Sequence, residues 1–220
     1  MLYADLVKEL GIDVSRDIEA CVTLASMGNL SSPEKAFSAV HRGSDFAVIG
    51  PDDPRMDIPE VAGCRYVMVA DSAITVYLMR SGRIPDFIVT DLDGNMAQIL
   101  ECNARGTNAI IHAHGDNIPL VKRYLPLFRG TVVGSCQVVE HPAGIIAPGG
   151  FTDGDRAAYI ANMLGASSIL LTGFSFISPV YKQGSDPSRK GTKLKWAQRY
   201  LQDLAMIRGN EMISGPLFRI

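Results

Sequence analysis

Residues 85–94 read PDFIVTDLDG and carry the clearest signal for the fold. The centre of this stretch is a short, continuous apolar run, residues 87–89, and two acidic residues, Asp91 and Asp93, follow closely. A continuous rather than alternating run is typical of a strand that is buried on both faces. The stretch therefore predicts a strand of an α/β sheet with polar side chains at its carboxyl end, where such sheets bind ligands.

Similar apolar runs recur on both sides of this stretch. Segments with helical spacing of apolar residues separate several of them, at 74–78, 96–100 and 157–164, and a last helix is predicted over 190–208. Strands that alternate with helices favour a parallel sheet with helices on both faces. The predicted class is α/β, with a mostly parallel, doubly wound sheet. The apolar runs are 46–49, 66–69, 87–89, 109–111, 131–133 and 169–171.

The first 44 residues have a different pattern. Helical spacing predicts a helix around residues 16–25, and a second short helix is expected near Pro33, where two preceding serines can cap it. We therefore expect a small helical N-terminal segment, residues 1–44, followed by an α/β catalytic domain, residues 45–220.

The composition limits the classes of function. Apolar residues make up 47% of the 220 residues and charged residues 20%, as in ordinary globular proteins, so extended disorder is excluded. The formal charge of −2 disfavours a general nucleic-acid binder, which would normally carry a basic excess. No apolar stretch approaches the roughly 20 residues that cross a bilayer, and early charged residues argue against a signal peptide. We expect a soluble, cytoplasmic protein without nucleic-acid or membrane partners.

Acidic residues follow three of the predicted strands within a few positions: Asp71, Asp91, Asp93 and Asp116. Because the carboxyl ends of parallel strands meet at one edge of a sheet, these four side chains should lie close together. Each alone is typical of a helix N-cap, but four together would repel one another unless a cation lies among them. A hard divalent cation with oxygen ligands, most commonly Mg²⁺ shared with phosphate groups, is the simplest solution.

A glycine-rich turn, residues 149–156 (GGFTDGDR), is expected at the same edge. Thr152 and Asp155 have nearly the spacing of a capping box, so a helix is predicted to begin there. The glycines let a ligand approach the backbone, and the free N–H groups of a first helical turn attract anions. Asp153 and Asp155 would repel a bare phosphate but accept one that carries Mg²⁺. The alternative is an ordinary, well-capped helix.

Parts of these motifs also occur in other enzyme families. Residues 87–94 resemble the nucleophile motif of haloacid-dehalogenase-type phosphohydrolases, in which Asp91 would attack phosphorus, although two strands precede it here. Residues 112–116 (HAHGD) resemble the H-x-H-x-D motif of binuclear zinc hydrolases, but Asn117 stands where that motif has histidine. The four cysteines contain no C-x-x-C pair and predict neither a zinc site nor a disulfide, and no Walker-type P-loop occurs.

Taken together, four stretches resemble the archaeal 6-hydroxymethyl-7,8-dihydropterin pyrophosphokinase family, whose catalytic domain is similar to that of thiamine pyrophosphokinase. The likeness extends roughly over residues 45–204. Departures occur at Ser72, 134–137 and 147–148, and they leave every motif acid in place. The stretches are 70–73 (ADSA), 85–94 (PDFIVTDLDG), 112–117 (HAHGDN) and 149–157 (GGFTDGDRA).

This resemblance implies a diphosphotransferase that moves the terminal diphosphate of ATP to the hydroxymethyl group of 6-hydroxymethyl-7,8-dihydropterin and releases AMP. It implies Mg²⁺ as the cofactor and a place in tetrahydrofolate or tetrahydromethanopterin biosynthesis. The protein's task in such a reaction is mainly to position the reactants and neutralise charge. The sequence leaves open a thiamine pyrophosphokinase, a non-catalytic nucleotide-binding module, and the oligomeric state, a homodimer included.

The resemblance also implies roles for individual residues. The catalytic candidates are Asp91, Asp93 and Asp116, with Asp116 either a further metal ligand or the acceptor of the hydroxyl proton. The candidate metal ligands are Asp71, Asp91, Asp93 and Asp153. The candidate ATP-binding residues are Gly150, Thr152, Asp153, Asp155, Arg156 and Lys193. The candidates for binding the pterin are His112, His114, Asn117 and Phe174, where the phenyl ring of Phe174 either stacks on the pterin or packs in the core.

Overall fold

The computed structural model describes residues 2–57, 59–176, 187–211 and 218–220. These residues form an α/β fold around one eight-stranded sheet, in which seven strands are parallel and the eighth pairs antiparallel at an edge. The predicted fold class is confirmed, including the small helical N-terminal segment. The strands are β1 Phe46–Ile49, β2 Tyr66–Ala70, β3 Phe87–Thr90, β4 Asn108–His112, β5 Val132–Ser135, β6 Ile145–Ile146, β7 Ile169–Thr172 and β8 Phe218–Arg219.

Helices pack on both faces of the sheet. None of the helices in the described ranges is both long and apolar enough to span a membrane. Two short 3₁₀ helices, Asp71–Ala73 and Leu125–Leu127, follow β2 and the seventh α-helix. The α-helices are α1 Leu2–Leu10, α2 Val14–Ser26, α3 Pro33–Ala36, α4 Pro59–Ala62, α5 Ile74–Ser81, α6 Met96–Ala104, α7 Ile118–Tyr124, α8 Asp153–Met163 and α9 Pro187–Ile207.

The strand order explains how the helices divide between the two faces. The order is β6-β5-β4-β3-β2-β1-β7-β8, so the chain builds the sheet outward from β1 to β6 and then crosses back to place β7 on the other side of β1. Helices α5, α6 and α7 bury Tyr77, Ile99 and Val121 in the core of one face. Helices α8 and α9 bury Ile160 and Leu201 in the core of the other.

The two N-terminal helices pack against opposite faces of this sheet. Leu6 of α1 is fully buried in the core beneath α8 and α9, whereas Ala20, Cys21 and Leu24 of α2 are buried in the core beneath α5, α6 and α7. The N-terminal segment therefore packs on both faces of the sheet. The division of the chain into two domains at residue 44 stays a prediction.

Local sequence signals fix several helix ends. Ser32 caps α3, and Gly82 ends α5 in the left-handed conformation that favours glycine. Thr152 and Asp155 form the predicted capping box at the start of α8. The edge strands β6 and β8 have only two residues each and could not be predicted, because so short a strand leaves no periodic pattern.

Candidate active site

The turn after β3 places two acids at the carboxyl edge of the sheet. The hydroxyl of Thr90 accepts the N–H of Leu92 at 2.8 Å and donates to the carboxylate of Asp71 at 2.5 Å. Leu92 has a φ of +72°, a left-handed conformation that costs a leucine roughly 1–2 kcal/mol. Its side chain is buried in the core, which holds the strained turn in place. Asp91 and Asp93, on either side of it, both line one cavity.

Asp71, the first residue after β2, is fully buried in contact with this turn. Its Oδ2 atom accepts hydrogen bonds from the hydroxyl of Thr90 and from the N–H of Gly94, the latter at 3.1 Å. A Cβ atom on residue 94 would lie 1.7 Å from Oδ1 of Asp71. The glycine that ends the DLDG motif therefore makes room for this carboxylate.

Three carboxylates meet where these elements converge. One oxygen atom from each of Asp71, Asp91 and Asp153 lies within 4.8 Å of the other two. These residues, which we call the acid triad, come from the ends of β2 and β3 and from the start of α8. Burial, followed by the charges of Asp91 and Asp71, raises the pKa of Asp153 well above its usual range. Such a set is stable in its charged form when a cation lies among the carboxylates.

The donor set of the acid triad fits a hard divalent cation. Carboxylate oxygens are the ligands that Mg²⁺ takes from proteins, usually one or two of them beside substrate phosphates. Asp93 is exposed on the same turn and lines the cavity, but it lies outside the triad. Within the described part of the chain His112 and His114 join no cluster of metal-ligating side chains, so the arrangement of a binuclear zinc hydrolase is not found there.

The loop after β4 is tied to the turn after β3 by Asn117, which is 2% exposed. Its amide group donates to the backbone carbonyls of Asp91 at 2.9 Å and His112 at 2.7 Å. Its Oδ1 atom accepts the N–H of His114 at 3.0 Å. Because both amide protons are used inside the protein, Asn117 holds the loop in position and does not line the cavity.

Two histidines of this loop line the cavity in different environments. His112 is 4% exposed, and its Nδ1 atom lies 3.2 Å from the hydroxyl of Ser135. Burial, with smaller contributions from Arg156 and His114, lowers the pKa of His112 well below its usual range, so its ring is neutral. His114 is more exposed, and its Nε2 atom lies 3.5 Å from Oδ2 of Asp91. The two rings stack with centroids 6.0 Å apart.

The turn at residues 149–156, which we call the glycine turn, is held by its own acid. The carboxylate of Asp155 is fully buried and accepts the N–H groups of Phe151 at 2.5 Å and Thr152 at 2.8 Å, together with the hydroxyl of Thr152. Asp155 therefore shapes the turn. Thr152 and Asp153 lie on the wall of the cavity.

Arg156 also supports the glycine turn from inside. It is 1% exposed, and its guanidinium donates to the carbonyl oxygens of Gly149 at 3.3 Å and Phe151 at 3.0 Å. Gly150 has a φ of +79°, and a Cβ atom there would lie 2.5 Å from Cα of Arg156. Neither Arg156 nor Gly150 lines the cavity, so their contribution to an ATP site is to set the shape of the turn.

Asp91 and Asp153 of the triad open into a cavity of about 450 Å³, a size that suits a small-molecule ligand, whereas Asp71 is buried behind the turn and does not line it. Acidic residues on its wall outnumber lysines and arginines, which fits a ligand that brings a cation with it. Asp116 is exposed on this wall, and so is Lys193 of α9, whose ammonium lies 5.9 Å from the ring centroid of Phe151. The predicted residues that line the cavity are Asp91, Asp93, His112, His114, Asp116, Thr152, Asp153 and Lys193.

Phe174, a predicted pterin-binding residue, lies outside the cavity wall. It follows β7 and packs on the first turn of α8, where a Cβ atom on Gly154 would lie 2.6 Å from its ring. It does not line the cavity, whereas Phe151 does. The sequence analysis did not single out Phe151 as a site residue, although its position two residues before Asp153 in the glycine turn is a usable signal.

One wall of the cavity comes from the N-terminal segment, which the sequence analysis did not place at the site. It consists of the corner between α1 and α2, residues 10–13, with Arg16 and Asp17 of α2, and Gln137 lies beside it. A signal was present in the sequence. Asp17 precedes Ala20, Cys21 and Leu24 by three, four and seven residues, which puts an acid on the buried face of the helix.

Comparisons with known proteins agree with this geometry. Residues 56–178 match the family described as MptE-like 6-hydroxymethylpterin diphosphokinase. The chain belongs to this family. The predicted resemblance is thereby confirmed, and with it the enzyme class, a diphosphotransferase. The matched residues include the whole acid triad and the glycine turn, but not the N-terminal wall of the cavity.

Three curated archaeal relatives are each named 6-hydroxymethyl-7,8-dihydropterin pyrophosphokinase. The chain is 32% identical to the Methanocaldococcus jannaschii protein over 189 residues, which cover 80% of this chain and 78% of the relative. It is 40% identical to the Methanothermobacter thermautotrophicus protein over 145 residues, 61% of each chain. It is also 40% identical to the Pyrococcus furiosus protein over 146 residues, 61% of this chain and 60% of the relative.

Proposed function

We propose that the protein transfers the terminal diphosphate of ATP to the hydroxymethyl group of 6-hydroxymethyl-7,8-dihydropterin, with Mg²⁺ as the cofactor and AMP as the second product. The observation that carries the proposal is the acid triad at the edge of a cavity in an MptE-like chain. The names of the relatives support the acceptor, and the clustered carboxylates support a donor that arrives with a cation.

In the proposed reaction the hydroxyl oxygen of the acceptor attacks the β-phosphorus of ATP. A new O–Pβ bond forms, the bond from Pβ to the bridging oxygen of the α-phosphate breaks, the hydroxyl proton is lost, and AMP leaves with the bridging oxygen. The acid triad would hold the metal ion, and Mg²⁺ when bound would supply charge neutralisation along the triphosphate. Asp93, on the same turn as Asp91, would accept hydrogen bonds from water molecules bound to that ion.

Other wall residues have roles that follow from their chemistry. Asp116 lies exposed on the cavity wall, and we assign it the proton of the attacking hydroxyl or an outer position around the metal. Lys193 offers a positive charge to the outer phosphates. The ring of Phe151 and the stacked rings of His112 and His114 offer flat surfaces to a pterin. Thr152 contributes to the nucleotide site as part of the glycine turn.

The alternatives differ in their products. A haloacid-dehalogenase-like phosphohydrolase would carry a phosphoryl group on Asp91 and release free phosphate. A thiamine pyrophosphokinase would form AMP only when thiamine is present, and a binding module would form none. The family match favours the diphosphotransferase over the phosphohydrolase. A role in folate or methanopterin biosynthesis, a cytoplasmic location and a homodimer all remain predictions.

The test is ³¹P NMR of the protein with ATP, Mg²⁺ and 6-hydroxymethyl-7,8-dihydropterin, with thiamine in a parallel sample. We expect AMP and a pterin diphosphate in equal amounts, no reaction with thiamine, and no turnover in excess chelator. Intact-mass spectrometry of the quenched enzyme should show an unmodified chain. ADP or free phosphate as the main product, or a phosphorylated protein, would overturn the proposal.

A further inference from the structure

We propose that the N-terminal segment positions the acceptor side of the active site, through contacts that Arg16 and Asp17 make with Gly115. These three residues are called the clamp below. The inference rests on the proposed function for the identity of the substrates. It goes beyond that function because Arg16 and Asp17 lie outside the residues that match the family, 56–178.

Within the clamp, the side chains of Arg16 and Asp17 hold the peptide backbone of Gly115 on two sides. Oδ1 of Asp17 accepts the N–H of Gly115 at 2.8 Å, and the guanidinium of Arg16 donates to the carbonyl oxygen of Gly115 at 2.9 Å. A Cβ atom on residue 115 would lie only 2.6 Å from Cβ of Arg16. The loop after β4 therefore packs with its backbone directly on α2, at a position where even an alanine would push the two elements apart.

Asp17 is itself fixed by further hydrogen bonds. It is 3% exposed, and its Oδ2 atom accepts from the side-chain amide of Gln137 at 2.7 Å and from the hydroxyl of Tyr3 at 3.0 Å. Burial, with the charge of Asp17, raises the pKa of Tyr3, so its hydroxyl remains a donor. A buried carboxylate with three donors joins α1, the loop after β4 and the residues after β5 into one unit.

The corner at residues 10–13 is held from another direction as well. The indole N–H of Trp196 in α9 donates to the carboxylate of Glu9 at 3.1 Å, next to the corner. Asp13 caps α2 by accepting the N–H of Ser15 at 3.0 Å. The corner is therefore a supported wall of the cavity.

The arrangement of the strands assigns this wall to the acceptor. The acid triad comes from β2, β3 and α8. The phosphates should lie beside the triad, because their negative charge requires the cation that the triad would hold. The clamp acts on the loop after β4, and Gln137 follows β5, the next strand outward in the sheet. The part of the cavity next to β4 and β5 is thus left for the acceptor. The loop that the clamp holds also carries Asp116 and His114.

A shift of this loop would move the acceptor-side groups relative to Pβ and leave the acid triad in place. Misplacement by about 1 Å from a change away from the reacting atoms can cost about a hundredfold in rate. The clamp residues are therefore positioning residues. Their loss should act on kcat and on the KM for the pterin, while the KM for ATP should change little.

The kinetic test uses Arg16→Ala, Asp17→Ala and Gly115→Ala, with Asp17→Asn as the conservative variant and Glu19→Gln, exposed on the same helix, as the control. We expect kcat/KM for the pterin to fall about ten- to a hundredfold in the first three and the KM for ATP to stay within about twofold. Asp17→Asn should recover part of the activity, because its side-chain oxygen can still accept the N–H of Gly115. Glu19→Gln should match the unmodified protein.

Hydrogen exchange of residues 112–117 tests the clamp without any substrate. We expect faster exchange in the clamp variants than in Glu19→Gln, and Arg16→Ala, whose residue is exposed, keeps the test open if Asp17→Ala does not fold. Unchanged exchange, faster exchange with unchanged pterin kinetics, or an equal rise in both KM values would overturn the inference. If the unmodified protein forms no AMP from the pterin, the proposed function fails while exchange still reports on the clamp.

Discussion

Asp153 and Asp155 lie two residues apart in the first turn of α8, and the protein uses them in opposite ways. Asp155 is surrounded by donors from its own turn, and these hydrogen bonds offset part of the rise in pKa that its burial causes. Asp153 instead lies close to the carboxylates of Asp71 and Asp91, and its burial, followed by the charges of Asp91 and Asp71, raises its pKa well above the usual range. Within α8, therefore, the acid that receives donors from its own turn shapes that turn, whereas the acid that lies among like charges is suited to a cation from outside.

The largest effect that we expect is a loss of activity, which distinguishes the acid triad from acids that only stabilise the fold. Asp91→Asn should lower kcat by at least about a hundredfold, as is common when an electrostatic group is removed from a reaction centre. Its melting temperature should not fall in metal-free buffer, because the change removes repulsion. Steady-state kinetics and thermal unfolding followed by circular dichroism provide the two readouts. A variant with nearly normal kcat would show that this acid serves only the turn.

Asp93→Asn tests the role of the second acid in the turn after β3. Asp93 lines the cavity outside the triad, and we expect a fall in kcat of the same order, about a hundredfold, because its charge lies on the same turn as the proposed metal ligand Asp91. Steady-state kinetics at saturating Mg²⁺ measure the fall in kcat. Activity restored by excess Mg²⁺ would mean that Asp93 affects only metal affinity.

Asp155→Ala should lower the stability of the fold, unlike Asp91→Asn, which should lower kcat without a fall in melting temperature. It leaves the N–H groups of Phe151 and Thr152 without their acceptor, and the free energy of unfolding should fall by about 1–3 kcal/mol. Urea unfolding gives the value, and Asp153→Ala is the matched control, for which we expect no loss of stability without metal. A stable Asp155→Ala protein would break the comparison, since the glycine turn would then not depend on its acid.

The smallest effect that we expect is a change in the pH dependence of stability when His112 is replaced. Because burial lowers its pKa below that of the unfolded chain, the unfolded state binds more protons below about pH 6.5, and the free energy of unfolding decreases as the pH falls through that range. His112→Gln should therefore lose less stability between about pH 6.5 and 5, by at most about 1.4 kcal/mol per pH unit. Urea unfolding over this range tests it, with His141→Gln at an exposed position as control. Identical pH profiles for His112→Gln and the unmodified protein would contradict the expectation.

Much of the fold could be predicted because buried parallel strands leave a strong signal. Six continuous apolar runs correspond to β1, β2, β3, β4, β5 and β7, and the acids that follow them lie at one edge as expected. The same reasoning could not tell which acids would meet. Membership of the triad depends on the strained turn at Leu92 and on the packing of α8 beside β2, which are properties of the folded chain.

The sequence also could not show which motif residues are buried. Asp155, Arg156 and Asn117 fit the motifs of a binding site, yet their side chains bond to the protein's own backbone. The contribution of the N-terminal helices was missed for a related reason. Contacts between residues about one hundred positions apart, such as Arg16 with Gly115, leave no local pattern.

Mn²⁺ binding in the presence of a non-hydrolysable ATP analogue, measured by electron paramagnetic resonance, tests directly whether the acid triad is the metal site. Asp91→Asn and Asp153→Asn represent the acid triad, and Asp155→Asn represents the glycine turn. We expect the unmodified protein and Asp155→Asn to bind Mn²⁺ with similar affinity, and both triad variants to bind it at least about tenfold more weakly. Equal Mn²⁺ affinity in all four proteins would contradict the assignment of the acid triad as the metal site.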